Sequence, residues 1–404
     1  MAKFFNREND TVNFMKREEM QNFLDFRKEH DKWVTPHIND CAVIGVPNLP
    51  LLWSVYTEGL ADTLKKSGYK YARYVPNIDM EKEENYTCAT AGPNVFFVVP
   101  VGGKFFPLPT ANFAYIDLCA RGGDTGSVML RQEQTKKRNT LPIEEKAARL
   151  TRDYTLVDEG CKVLYRDHMV CAVHSESYVI MPMSDCIEKV EESLEKHFPD
   201  YFFKEGAASH FYFISEYLLN DEIAEARFSE LLKKAGVDID EVKAGLMFYT
   251  SDVGESSVTA SMYYTVNGKK ILLGKSVKMA HKGEASLDKF AEELEDMGQL
   301  FKDGEERIEE LGNTPIAHPA EVLLAIREKN TWLPKAIVEN LAAGFDTTVN
   351  STTAVDIYLA LNDAIDIKRQ NENLAPETYI NLCEQVAKLL YLPYAKIDNG
   401  EEWS

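Results

Sequence analysis

The sequence predicts an α+β protein: a mostly antiparallel sheet with packed helices, followed by an all-helical C-terminal module. Three observations carry that class. Residues 258–266 alternate apolar and polar side chains, the apolar side resumes at Ile271, Leu273, Val277 and Met279, and Asn267-Gly268 stands between the two runs. Asn-Gly accepts the positive φ that a two-residue hairpin turn demands. Between 161 and 218, apolar runs of strand length are separated by a segment of helical period. Beyond Gly283 no strand pattern remains, and proline- or cap-led amphipathic segments follow one another. The expected organisation is an N-terminal helix–strand region at 1–112, an α+β core at 113–283 and a helical module at 284–404.

In chain order, Asp10 and Thr11 are placed to cap a first helix carrying Phe14, Met15, Phe23 and Phe26 toward Trp33. A second helix is expected over 55–66, ended by Gly68, and 76–94 reads as a polar loop before the strand VFFVVPV at 95–101. The apolar stretch FAYIDLCA (113–120) then leads into a glycine-rich turn. Pro142 suits the first turn of a helix whose Ile143, Ala147, Leu150 and Tyr154 share one face. KVLYRD and MVCAVHSESYVIMPM are apolar on both faces, as central strands are. Ser184 and Asp185 begin a helix with the stripe Ile187, Val190, Leu194 and Phe198, and YFFKEG and SHFYFISEYLL return to strand. Residues 220–236 form another amphipathic helix. In the C-terminal third, an acidic helix over 288–311 precedes helices at 319–329, 334–343, 353–367 and 376–391. Thr353 with Asp356 resembles a capping box there.

A chain of 404 residues with formal charge -20 is large enough for more than one core, and it resists indiscriminate adhesion to nucleic acid or anionic lipid. Its seven cysteines are odd in number and make no CxxC pair, which suits reduced thiols in a cytoplasmic setting. The first ten residues turn charged rather than apolar, and no apolar run approaches membrane-spanning length, so neither a signal peptide nor a membrane partner is expected.

Four stretches arrive in a recognisable order: AVHSESYVIMP (172–182), FYTSDVGESSVTASMYY (248–264), KMAHKG (278–283) and TAVDIYLALNDAIDI (353–367). Across residues 113–395 the chain resembles phage/plasmid-like proteins built on a domain of unknown function and carried by laterally transferred elements. The resemblance implies a mobile-element setting and a non-secreted protein. It brings no activity and no catalytic residue with it, and it does not cover the first hundred residues.

Within this acidic chain, residues 121–152 hold eight cationic and four acidic side chains, a local net of +4, whereas 282–311 has a net of -7. Gly122, Gly123 and Gly126 let backbone N–H groups converge on an anion beside Arg121. The spacing is neither a P-loop nor a dinucleotide fingerprint. Arg121, Arg131, Lys136, Lys137, Arg138, Arg149 and Arg152 are therefore candidates for a groove tracking a phosphate backbone. Tyr69, Tyr71 and Tyr74, interleaved with Lys70 and Arg73, add candidate stacking platforms. The same residues also read as a solvated loop and a plain tyrosine-rich core segment.

Other constellations are weaker. His168, Cys171 and His174 at three-residue steps do not share one face of a strand, so a zinc site is awkward. Glu241-Val242-Lys243 has the Glu-x-Lys form of a magnesium nuclease but needs a further carboxylate from an adjoining strand. Ser251, Asp252 and Gly254 read as turn chemistry. No GxSxG elbow or HExxH pair is present. The leading expectation is a non-catalytic mobile-element protein, without cofactor or metal, that binds or anneals single-stranded nucleic acid. The alternative is a regulator or counter-defence factor that binds a host protein through its acidic helical tail.

Overall fold

Asn267 and Gly268 take φ of 49° and 80° and close the hairpin where the sequence places it. The strands are β11 (Val258–Val266) and β12 (Lys269–Met279). In the computed structural model, which describes residues 10–45, 95–101, 104–123, 126, 128, 143–167, 169–345, 351–372 and 374–403, this hairpin ends a six-stranded antiparallel sheet. The other strands are β1 (Val12–Phe14), β8 (Phe202–Ala208), β9 (Phe213–Leu218) and β10 (Val242–Thr250), in the order β1-β8-β9-β10-β11-β12. The α+β class and the helical C-terminal region are as the sequence predicts.

Alternation along the strands gives the sheet two different faces. Phe248 meets Phe290, and Tyr264 stacks on Phe228 at 3.9 Å and approaches Phe301 at 5.2 Å. This face is covered by α4 (Met183–His197), α5 (Glu222–Lys234), α6 (Leu287–Leu294) and α7 (Met297–Gly312), with α1 (Arg17–His30) beyond. The opposite face carries Tyr249 and Tyr263 and meets α10 (Ala354–Glu372) and α11 (Pro376–Leu389). Helices α8 (Pro319–Lys329), α9 (Lys335–Phe345) and α12 (Tyr394–Asp398) pack outside α10, joined by the two-residue strands β13 (Pro315–Ile316) and β14 (Thr352–Thr353). The C-terminal helices thus share one hydrophobic core with the sheet.

Helix α10 also seals a sheet edge. Its Tyr358 hydroxyl donates to the Leu272 carbonyl at 2.5 Å, Asn362 accepts from the Leu272 N–H at 3.4 Å, and Asp366 accepts from the Lys270 N–H at 3.3 Å. Side chains stand in for a seventh strand, which removes unpaired backbone groups that would template association.

A second core lies under two three-stranded sheets, β3-β4-β5 and β2-β6-β7. Their strands are β2 (Lys32–Val34), β3 (Ala42–Gly45), β4 (Val95–Val101), β5 (Lys104–Pro109), β6 (Cys161–Arg166) and β7 (Met169–Ser175). They pack with α2 (Ala114–Arg121) and α3 (Ile143–Tyr154), and Val253, from the loop after β10, inserts into this core.

Some elements differ from the sequence reading. Residues 12–14 pair with 206–208 as a sheet edge, so α1 begins only at Arg17 and Asp10 and Thr11 do not cap it. The expected acidic helix breaks at Glu295–Asp296 into α6 and α7. Asp221 caps α5 by accepting from the Ala224 N–H at 3.0 Å, and Asp356 accepts from the Thr353 N–H at 2.8 Å.

Candidate functional site

The expected phosphate site is only partly within view. Arg131, Lys136, Lys137, Arg138, Tyr69, Tyr71 and Tyr74 lie outside the described residues. Arg121 ends α2, and its Nε is buried without a hydrogen-bond partner among the described residues. Its charge acts inward, on Asp117, Cys161 and His174. Arg149 is paired with Glu145 at 2.6 Å and Arg152 lies 3.8 Å from Asp153. Each of these three cations stands near a carboxylate.

Among the described residues the metal-type constellations do not assemble. His168 lies outside the described residues, and Cys171 is buried. Lys243 is paired with Glu225 at 3.2 Å. Among the described residues no three His, Cys, Asp or Glu side chains converge on a common point.

The stretches 172–182, 248–264 and 278–283 meet in the fold. His174 and the Tyr178 hydroxyl both donate to the Asp252 carbonyl, at 2.9 and 3.3 Å. The rings of His174, Tyr178 and His281 form a column, with centroids 3.7 and 5.0 Å apart, and Trp33 lies 6.1 Å from His174. Gly254, at φ 82°, completes it, because a Cβ there would come within 3.0 Å of the His174 ring. Below the column the Asp252 carboxylate takes Arg166 at 2.6 Å, and Arg166 also holds Asp31 at 2.6 Å. Arg27 joins Asp167 at 2.8 Å, and His210 lies 3.6 Å from the same carboxylate. These groups come from both cores and build the joint between them.

The joint sets an acid response. Burial pulls the His210 pKa down to about 4, with Arg27 and Arg166 adding to this and Asp167 and Asp10 opposing it. Burial also lowers His174 and His281. A histidine depressed in the fold contributes stability that is present above its unfolded pKa near 6.5 and is lost as pH falls toward 4, here about 3 kcal/mol. Asp117 acts in the opposite sense, since burial raises it to about 6 and its ionisation costs stability as pH rises. Urea titrations of His210→Asn and wild type should therefore diverge between pH 6.5 and 4, with the variant losing about 2–3 kcal/mol less. Parallel pH profiles would refute this assignment.

A broad concavity lies elsewhere, on the second face of the six-stranded sheet. It is a groove of about 1000 Å³ floored by β1, β8 and β9 and walled by α10 and the start of α11. Asn13, Glu205, Ala207, Ile214 and Glu216 point up from the floor, and Asp363, Asp366, Arg369, Leu374 and Tyr379 face them. Four carboxylates line it (Glu205, Glu216, Asp363 and Asp366) against two cations, Lys269 and Arg369.

Both cations are engaged: Lys269 with Asp363 at 2.6 Å, and Arg369 over the Tyr379 ring at 4.3 Å. Buried Glu216 holds the floor together, accepting from Lys270 at 2.6 Å, Lys204 at 3.1 Å and Tyr263 at 3.1 Å. Burial opposes its ionisation, but the two lysine charges and their hydrogen bonds prevail and bring its pKa down to about 2. Burial raises Asp366, although it accepts the Lys270 N–H. The groove offers paired charge and partial apolarity.

The sequence reading did not single out Glu216, Lys270, Asp366 or Arg369. The one available signal was a carboxylate inside the apolar strand FISEYL. No protein-family model, curated protein or solved structure matches this chain. Among the described residues no helix is long and apolar enough to cross a membrane.

Proposed function

We propose that this chain is a non-catalytic binding protein whose groove takes an extended segment of a partner protein, one bearing cationic and apolar side chains. The observation that carries this reading is the groove itself, open along the sheet face and lined by twice as many carboxylates as cations. Apolar positions at Ile214, Ile367 and Leu374 sit between the charges, so both chemical parts of such a segment have a counterpart. The formal charge of -20 strengthens attraction to a cationic partner. If the mobile-element setting implied by the resemblance holds, that partner is a host protein.

Single-stranded nucleic acid is the second reading, favoured by the net +4 of residues 121–152. One experiment separates them: fluorescence anisotropy with a peptide alternating lysine and leucine, its glutamate–leucine counterpart and a labelled oligothymidylate, each across a salt series. The lysine peptide should bind at least ~10-fold tighter than the glutamate peptide, equivalent to about 1.4 kcal/mol, and Glu205→Lys should weaken it comparably. Equal binding of both peptides overturns the protein reading. Oligonucleotide binding that is lost in a Lys136→Ala, Lys137→Ala, Arg138→Ala variant replaces it with the nucleic-acid reading.

A further inference from the structure

Two cysteines far apart in sequence share one buried site in the second core. The segment before β3 runs beside the start of β6: Ile38 donates to the Glu159 carbonyl and Cys161 donates to the Pro36 carbonyl, both at 2.9 Å, and His37 is bridged to Gly160. Cys41 closes the short helical turn at 38–40, and its thiol lies 3.3 Å from the His37 carbonyl. That places Cys41 beside the 37–160 pair, next to Cys161 in the same core. Both cysteines are free and buried.

We propose that Cys41 and Cys161 are an oxidant-responsive pair that forms a reversible disulfide with hydrogen peroxide. The two thiols differ in the way this chemistry needs. Cys161 has its acidity increased by its interaction with Cys41 and by the Arg121 charge, against the effect of burial. Cys41 is held protonated by that same contact and by burial. Nucleophilicity resides in the thiolate, and a neighbouring cation favours it.

The Cys161 thiolate attacks one peroxide oxygen and breaks the O–O bond, giving a sulfenic acid and a hydroxide that takes up a proton to become water. The Cys41 sulfur then attacks the sulfenic sulfur, forming the S–S bond and expelling the hydroxyl group, which leaves as water with the Cys41 proton. Two thiols are oxidised by two electrons, and one peroxide is reduced to two waters. Burial makes the pair selective, because a small peroxide reaches it more readily than a bulky disulfide such as oxidised glutathione.

The test is intact-mass and peptide-mapping spectrometry of the full chain after treatment with peroxide or with oxidised glutathione. Peroxide should remove two hydrogen atoms and link the peptides containing Cys41 and Cys161, and dithiothreitol should reverse the change. Cys41→Ser and Cys161→Ser should each abolish the link, while Cys119→Ser should retain it. The linked wild type should melt on the order of a few degrees higher than the reduced protein, since the bridge closes a long loop. Added oxygen on Cys161 without a crosslink, a crosslink to Cys119, or no reaction would each overturn the proposal. Because the crosslink is mapped in the wild-type chain, a cysteine variant that fails to fold does not remove the test.

Discussion

Replacement of Arg166 by Met is expected to cost about 3–5 kcal/mol of stability at neutral pH, the largest effect of any single exchange considered. The side chain is 2% exposed, and its guanidinium stands between Asp31 and Asp252, each 2.6 Å away, while also donating to the His210 carbonyl at 3.4 Å. Methionine fills similar space yet leaves two carboxylates in a low-dielectric site with no cation between them. Asp31 is already raised by burial, which Arg166 and Arg27 oppose. Without Arg166, Asp31 should protonate more readily, so the penalty should shrink as the solution is acidified. Urea denaturation at several pH values measures this directly. A loss under about 1 kcal/mol at neutral pH would mean that water solvates the site well enough to make the arginine dispensable.

Lys270→Met is expected to cost about 2–4 kcal/mol and to flatten the acid limb of the stability curve. Glu216 titrates near 2 in the fold, below the 4.5 of a free glutamate. A depressed carboxylate contributes stability that is present above its unfolded pKa and is lost as pH falls through the folded value, here roughly 3 kcal/mol between pH 4.5 and 2. Lys270 is its nearest cation, 8% exposed, and also lies 4.5 Å from the Tyr263 ring. With methionine in its place, half-exposed Lys204 is the cation still bonded to the buried carboxylate. Adding Glu216→Gln to the variant should recover part of the loss, because the uncompensated charge is then gone. If the single variant keeps the wild-type acid limb, Lys204 holds Glu216 unaided.

The legible parts of this fold are those whose determinants sit close together in the chain. The Asn267-Gly268 hairpin is local and forms as expected, and the Asp221 cap of α5 is local as well. Residues 12–14 are not, because their apolar pattern suits a helix until pairing with 206–208, almost two hundred residues away, decides the matter. The joint lies between these cases. His174, Tyr178, Asp252 and His281 stand in stretches whose order could be recognised, but each alone is an ordinary strand end or turn. Only their convergence on the Asp252 carbonyl gives them a shared role. The groove was invisible for the same reason: Glu216 and Lys270 are 54 residues apart, and no spacing rule links them.

Helix α10 gives synthesis of this protein an order. The backbone groups at Lys270 and Leu272 are satisfied by residues 86 to 96 positions later. At a translation rate of roughly 5–20 residues per second, that interval leaves strand β12 uncovered on the ribosome for about 5–20 s. During that time neighbouring nascent chains on one message can pair edge to edge. Slow codons read between the emergence of β12 and that of α10 should lengthen this exposure and lower soluble yield.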